Sequence, residues 1–315
     1  MPARWRSTLF SPQSALALLA QTSARVGQLP RFLELVSWVL LSKRSAQLLR
    51  YQPTEHDVFA ATFAKSGTNW SMQICLQIAH RGAAEYEHIH DLVAWPEGPF
   101  KEIVDLEDPG PQRAAPTGMR VIKSHLPAGE VPYDPKARYV TIIRDPKEVL
   151  VSSYYFLLGQ LGVLDRLSPQ EYVEYSLQLD RLPSHWASHT ASYWAWRARP
   201  NVYLRFFQQL KADLPKAVDE IAALMGVALR PDERAAVLER CSFKYMKDRD
   251  HAFAPPPSPL VPKDQRPSMM RKGQSGGSRE LLTPEQGARL DALCEQALLR
   301  RGCDLPYREW FVRDA

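Results

Sequence analysis

Lys65-Ser66-Gly67-Thr68-Asn69 gathers one full cation, three short hydrogen-bonding side chains and a glycine into five residues. An apolar run rich in β-compatible residues, Val58 to Phe63, precedes it and reads as a buried strand. Trp70, Ile74, Gln77 and Ile78 follow at helical spacing. A strand that turns at a glycine into a helix leaves backbone N–H groups unpaired at the turn, and the helix dipole adds positive potential there. Such a loop can hold a phosphate-like anion. It departs from the Walker loop, which ends in Gly-Lys-Ser/Thr and carries an earlier Gly; here the Lys precedes the only Gly. The plain alternative is an ordinary strand–turn–helix with a capping Ser or Thr.

Three further places carry residues of the same kind. Met119 to His125 begins as a short strand, which Pro127 ends. Polar residues at the end of a strand in an α/β protein face the ligand crevice, so Lys123, Ser124 and His125 belong near the first loop if the two strands are parallel neighbours. Tyr139 to Ile143 reads as another buried strand, with Arg144 at its end, Asp145 as helix N-cap and Pro146 at the first helical position. Arg144 suits bidentate contact with a phosphate, with Ser152 two turns beyond Asp145; an ion pair with Asp145 or Glu148 is the alternative. Arg271-Lys272-Gly273 sets two cations beside a glycine, a segment that can approach an anion closely or simply be a solvated loop.

The elements that position these residues follow from the same pattern. The chain has 315 residues, 45% hydrophobic and 24% charged, which is ample for a sizeable core. Alternation of strand and helix gives one α/β domain with a central sheet flanked by helices, over residues 51–315, behind a helical N-terminal extension, residues 1–50. Asn201 to Phe207 is a further strand; Leu214–Met225 and Pro231–Arg240 are helices, and Thr283 opens the last one. The stretch 88–100 reads as turns, and 251–267, rich in Pro, as a long mobile loop of the kind that forms lids. Forty Lys and Arg against 35 Asp and Glu give +5, too mild to require nucleic acid and suited to a small anionic ligand. Cys75, Cys241, Cys294 and Cys303 form no C-x-x-C pair, which argues against a zinc site or disulfide framework and fits a reducing, cytoplasmic compartment. The apolar runs near 15–20 and 32–41 fall short of a bilayer span. They read as helices packed on the domain; the sharper option is peripheral membrane contact through residues 1–45, with Trp38 and Lys43-Arg44 at the interface.

In order and spacing these segments resemble the cytosolic-type sulfotransferases, over about Phe59 to Gly276. Lys65 to Trp70 is similar to the family's 5′-phosphosulfate loop, with Ala64 where the family has Pro. Lys123-Ser-His-Leu-Pro127 resembles the segment that carries the family's catalytic His. Arg144-Asp-Pro-Lys-Glu-Val-Leu-Val-Ser152 and Arg271-Lys-Gly-Gln-Ser-Gly276 resemble the 3′-phosphate segments, and His185-Trp-Ala-Ser-His189 the Trp-x-x-His core motif. Three places depart: Phe207-Gln208-Gln209 for Tyr-Glu-Asp, Cys241-Ser-Phe243 for Thr-Ser-Phe, and Gly277-Ser-Arg279 for Asp-Trp-Lys. No dimer motif is recognisable, which leaves the oligomeric state open.

The resemblance implies a P-loop-NTPase-like fold and transfer of a sulfuryl group from 3′-phosphoadenosine 5′-phosphosulfate (PAPS) to a hydroxyl of a small acceptor, without a metal. It implies His125 as general base, with Lys65 and Lys123 stabilising charge. Ser66, Gly67, Thr68, Asn69 and Trp70 would hold the 5′-phosphate side. Arg144, Ser152, Arg271, Lys272 and Gly273 would hold the 3′-phosphate, and Trp70, Phe207, Cys241 and Phe243 would surround the adenine. Trp95, Phe100 and Phe156 fall where the family has apolar acceptor walls, which points to a hydrophobic alcohol, phenol or lipid. Two rival readings are an ATP-dependent P-loop kinase and an inactive nucleotide-binding scaffold.

Overall fold

Alternation along the first strand sets up the architecture. In β1 (Asp57–Ala61) every residue is buried. Val58 and Ala60 join one apolar cluster and Phe59 and Ala61 another, as a strand covered on both faces requires. With β2 (Val93–Ala94), β3 (Arg120–Ser124), β4 (Arg138–Ile143) and β5 (Val202–Phe206) it forms a five-stranded sheet in the order β2-β3-β1-β4-β5. Every pairing is parallel. Helices Thr68–Ala79, Leu214–Met225 and Pro231–Arg240 cover the Val58 face, burying Ile74, Ile78, Val218, Ile221 and Val237. Helices Pro146–Leu161, Arg181–Trp194 and Pro284–Leu299 cover the Phe59 face, with Val149, Trp186 and Leu290 buried. The chain is thus a single α/β domain with a central parallel sheet between two helical layers, the class its strand–helix alternation implies. The computed structural model describes residues 8, 11–42, 46–178, 181–271, 273 and 276–312.

Two local expectations change, and two details are added. Strand β2 lies inside the stretch read as turns, because two residues are too few to show a period. Pro30 does not break the N-terminal helices. It sits second in helix Leu29–Ser42, where a missing N–H costs no hydrogen bond, and the break falls at Gly27, with φ +69°. The short helix Phe243–Asp248, capped by the Ser242 side chain onto the Tyr245 N–H, follows Cys241. The Pro-rich stretch 251–267 is packed down rather than standing free: Phe253 and Val261 are buried, and Ser258 Oγ lies 3.0 Å from Ser14 Oγ. Helices Pro12–Arg25 and Leu29–Ser42 contribute Ala20, Leu29 and Leu33 to the main core.

The start of β1 is held by a buried carboxylate. Asp57 accepts from Arg120 Nε at 2.6 Å, Tyr51 Oη at 2.8 Å and the Thr54 N–H at 2.7 Å. Removing it strands the Arg120 guanidinium in a largely buried position. Asp57→Ala is expected to lower unfolding stability by about 3–5 kcal/mol in urea titrations. A loss below about 1 kcal/mol would show that water replaces the carboxylate.

Candidate active site

Strand register brings four loops to one edge of the sheet. Ala61 pairs with Ser124 across β1 and β3, so the next residues, Thr62 and His125, are neighbours. Ile143 pairs with Phe206 across β4 and β5, which sets Arg144 beside Phe207. Because all strands run the same way, their C-terminal ends share this edge, where ligands bind in open α/β sheets.

The first loop is tight. Lys65 has φ +64° and Gly67 φ +94°, both left-handed. Gly67 is the N-cap of helix Thr68–Ala79, and a Cβ there would lie 2.9 Å from Phe207 Cδ2. Glycine is therefore required twice over, by its dihedral and by the ring against it. Ser66 Oγ is buried with no hydrogen-bond partner, and the Thr68 hydroxyl is taken up by Thr62 at 2.6 Å. Asn69 is half-buried in the first turn of the helix. Trp70 Nε1 donates to the Cys241 carbonyl at 2.9 Å, tying the helix start to the segment that carries Phe243. Lys65 Nζ sits 3.8 Å from the centroid of the Phe156 ring. Burial, then the nearby Arg144 charge, push its ammonium down to about 7, against a smaller opposing pull from Asp250.

The second strand end holds a titratable cluster. Lys123 Nζ stands 3.4 Å from the centroid of the Trp95 ring, and burial lowers its pKa to about 7 as well. His125 Nδ1 lies 2.8 Å from the Thr62 carbonyl oxygen. A carbonyl can only accept, so Nδ1 carries the hydrogen in that contact and Nε2 keeps its lone pair. Burial and then the Lys123 charge hold the His125 pKa well below the ordinary histidine value. The His125 N–H donates to Glu97 Oε1 at 2.6 Å, while Glu97 Oε2 is buried without a partner. The sequence reading did not single out Glu97; no spacing rule marks a carboxylate that serves a backbone N–H 28 residues away.

The third and fourth segments meet through Glu148. Arg144 Nη1 donates to the Lys65 carbonyl at 2.8 Å, its Nη2 pairs with Glu148 at 3.3 Å, and its Nε is buried without a partner. The Arg144 guanidinium lies 4.7 Å from the Phe207 ring centroid, and Trp186 Nε1 donates to its carbonyl at 3.0 Å. Arg271 pairs with Glu280 at 2.9 Å and lies over the Tyr155 ring; burial lowers the Arg144 pKa, and the nearby Arg271 charge adds a little to that. Glu148 also accepts from the Ser278 N–H at 3.1 Å. The ion-pair alternative for Arg144 is thus real, and it coexists with the convergence of Lys65, Arg144 and Arg271. Gly273, φ +61°, lies flat against Phe243, where a Cβ would meet the ring at 2.5 Å. Lys272 lies outside the described residues. Ser152 is half-buried on its helix, and the Cys241 side chain is wholly buried, so this position offers its carbonyl rather than its sulfur. Phe207, where the resemblance implied a Tyr, fills the angle between Gly67, Trp70 and Arg144.

Trp95, Phe100 and Phe156 are all brought to the cluster. Trp95 packs edge-on against His125 at 5.6 Å and near Phe100 at 6.5 Å, and Phe156 lies beneath Lys65. The site is therefore a set of cations resting on aromatic faces, beside a neutral imidazole: an arrangement for transferring an anionic group.

Comparison with known proteins gives that class a family. The sequence pattern of the sulfotransferase domain matches residues 55–302, and the chain belongs to that family. Sulfotransferase 2A1 of Macaca fascicularis is 29% identical over 261 residues, covering 82% of this chain and 87% of that protein. The 3-beta-hydroxysteroid sulfotransferase of Cavia porcellus is 26% identical, covering 78% and 84%. A solved retinol dehydratase in complex with androsterone and inactive cofactor PAP superposes with a TM-score of 0.61 at 19% identity, over 84% of this chain and 86% of that one. A mouse sulfotransferase complexed with PAP gives 0.57 at 22% identity, over 82% and 90%. These structures share the fold, and the family's chemistry is sulfuryl transfer.

The contact at Gly67 yields a test. Gly67→Ala should cost about 1–2 kcal/mol for the left-handed backbone alone, plus the overlap with Phe207. Pairing it with Phe207→Ala should remove only the overlap, so that in a double-mutant cycle followed by denaturant unfolding the double variant is less destabilised than the sum of the two single variants. Strict additivity would show that the two groups do not touch.

Proposed function

We propose that this chain moves a sulfuryl group from PAPS to the hydroxyl of a small hydrophobic acceptor, with His125 as general base. The observation that carries the reading is the His125 contact with Thr62. It leaves a neutral Nε2 lone pair among Lys65, Lys123 and the aromatic walls. The orphaned donors Ser66 Oγ and Arg144 Nε, and the free N–H groups at the start of helix Thr68–Ala79, fit a ligand with several phosphate oxygens. Arg144, Arg271 and Gly273 fit a second phosphate, the feature that separates this donor from ATP. A 3-beta-hydroxysteroid sulfotransferase among the relatives supports an apolar alcohol as acceptor.

The residues divide the work as follows. Nε2 of His125 takes the acceptor proton as the acceptor oxygen forms its bond to sulfur and the bond from sulfur to the 5′-phosphate oxygen breaks. Lys65 stabilises the charge that grows on that leaving oxygen, and Lys123 shares the sulfonate charge. Glu97 holds the His125 backbone, and so the ring, in place. Trp95, Phe100 and Phe156 exclude water from the transfer.

His125→Ala should reduce transfer to a phenol or sterol by at least about 10³-fold while 3′,5′-ADP still binds in calorimetry. Binding without any dependence of turnover on His125 would remove it from the mechanism, and tighter binding of ATP than of 3′,5′-ADP would favour a kinase. The depressed lysines set the pH dependence. In the free protein Lys65 and Lys123 lose their protons above about 7, and an anion binds the protonated form. Affinity for 3′,5′-ADP should therefore fall above pH 7, by up to roughly tenfold per unit for each lysine. Net proton uptake should be measurable at pH 8 from calorimetry in buffers of different ionisation enthalpy. His125, held neutral, should place the acid limb of turnover below pH 6.5. Flat affinity from pH 7 to 9 would mean that neither lysine is depressed.

A further inference from the structure

The first N-terminal helix is built inside out. In helix Pro12–Arg25 the buried positions are small, Ser14, Ala17 and Ala20, while Leu16, Leu18 and Leu19 point outward, the last two 54% exposed. Ala15, Leu19, Thr22 and Val26, at spacings of four, three and four, form an exposed stripe with no charge in it. Val26, Leu35 and Leu49 are each about as exposed or more so. Among the described residues, six of the nine exposed large apolar side chains lie between positions 16 and 49. An amphipathic helix on a soluble domain should show the opposite arrangement. The charge is equally lopsided. Residues 1–50 hold seven Lys and Arg and one acidic residue, Glu34, whereas residues 51–315 hold 33 basic and 34 acidic.

We infer that these two helices are an interfacial docking surface for an anionic phospholipid bilayer. The exposed apolar side chains, with the exposed Arg25 at the end of the first helix and Arg31 in the first turn of the second, match the acyl boundary and the headgroup charge at once. A second copy is a poor match, since it would press two strongly basic surfaces together. The helices lie on the membrane rather than through it: each has 14 residues, ~21 Å of helix against ~30 Å of hydrocarbon, and no described helix is long and apolar enough to cross. The docking surface is fixed to the catalytic domain. Gln21 Nε2 donates to the Leu161 and Leu260 carbonyls at 3.3 Å, and Leu161 ends the helix that carries Phe156.

Binding to vesicles tests this without any turnover, so its failure and that of the proposed function are separable. The full chain should sediment with vesicles of phosphatidylcholine and phosphatidylserine, far less with phosphatidylcholine alone, and less as salt rises. L18D/L19D/L35D should lower the partition coefficient by about 100-fold or more with an unchanged thermal midpoint. R25E/R31E, which leaves the apolar surface intact, should remove most of the dependence on phosphatidylserine. Failure of the parent chain to bind the anionic vesicles, or binding by both variants equal to that of the parent chain, overturns the inference. So does a dimer in sedimentation equilibrium that L18D/L19D/L35D dissolves while vesicles bind neither chain.

Discussion

Positive charge held out of water is the constraint around which this structure is arranged. Lys65, Lys123 and Arg144 stand at one sheet edge, too buried to be fully hydrated, and Arg144 further depresses Lys65 as Lys65 does Lys123. Left alone, such a group would lose protons or open to solvent. Two devices keep it in place. Each lysine lies over an aromatic face, Phe156 or Trp95, whose electron density adds to the weaker pull of a carboxylate, Asp250 for Lys65 and Glu97 for Lys123. Arg144 pairs with Glu148, which also accepts from the loop at Ser278, and Asp145 adds a second negative charge nearby. The cations are thereby held without being neutralised, which leaves their remaining charge for a ligand.

The parallel sheet makes this arrangement possible. Consecutive strand ends deliver Lys65, His125, Arg144 and Phe207 to the same edge because register carries each loop to its neighbour. Antiparallel pairing of any one strand would send its loop to the far side. Trp186 and the ring cluster of Tyr307 and Phe311 then set the backbone at Arg144 from beneath, so the Phe59-side helices serve the site as well as the core. The two glycines that matter, Gly67 and Gly273, each lie under a phenylalanine. Backbone and ring approach there more closely than any side chain would permit, and both contacts are at segments implicated in holding phosphate.

The N-terminal helices answer a different requirement. In the first helix small residues face the domain and Leu16, Leu18 and Leu19 face outward, while the second buries Leu29 and Leu33 and exposes Leu35, so the pair packs on one side and leaves apolar side chains on the other. The carbonyl contacts of Gln21 link that surface to the end of the helix bearing Phe156. The exposed apolar surface and the helix bearing Phe156 are therefore adjoining parts of one layer.

Contiguous features were legible in the residues alone. The run Lys65 to Trp70 shows its strand, turn and helix because each is local, and Arg144-Asp145-Pro146 marks a strand end and helix start for the same reason. Helices Leu214–Met225 and Pro231–Arg240 carry their own stops and caps and fall where the pattern puts them. Features that depend on partners far along the chain were not legible. Strand β2 is too short to show a period, and Pro30 breaks or starts a helix according to where that helix begins. His125 is plain as a histidine, but its tautomer depends on a Thr62 carbonyl brought beside it by strand pairing. Glu97 gains its place only from the backbone of His125, and the depression of Lys65 and Lys123 comes from burial, which no short window of sequence contains. The sequence by itself determined the kinds of charge and where the chain turns. Tertiary structure alone decided which of those charges share a water-poor space, because desolvation and field strength depend on distance in three dimensions.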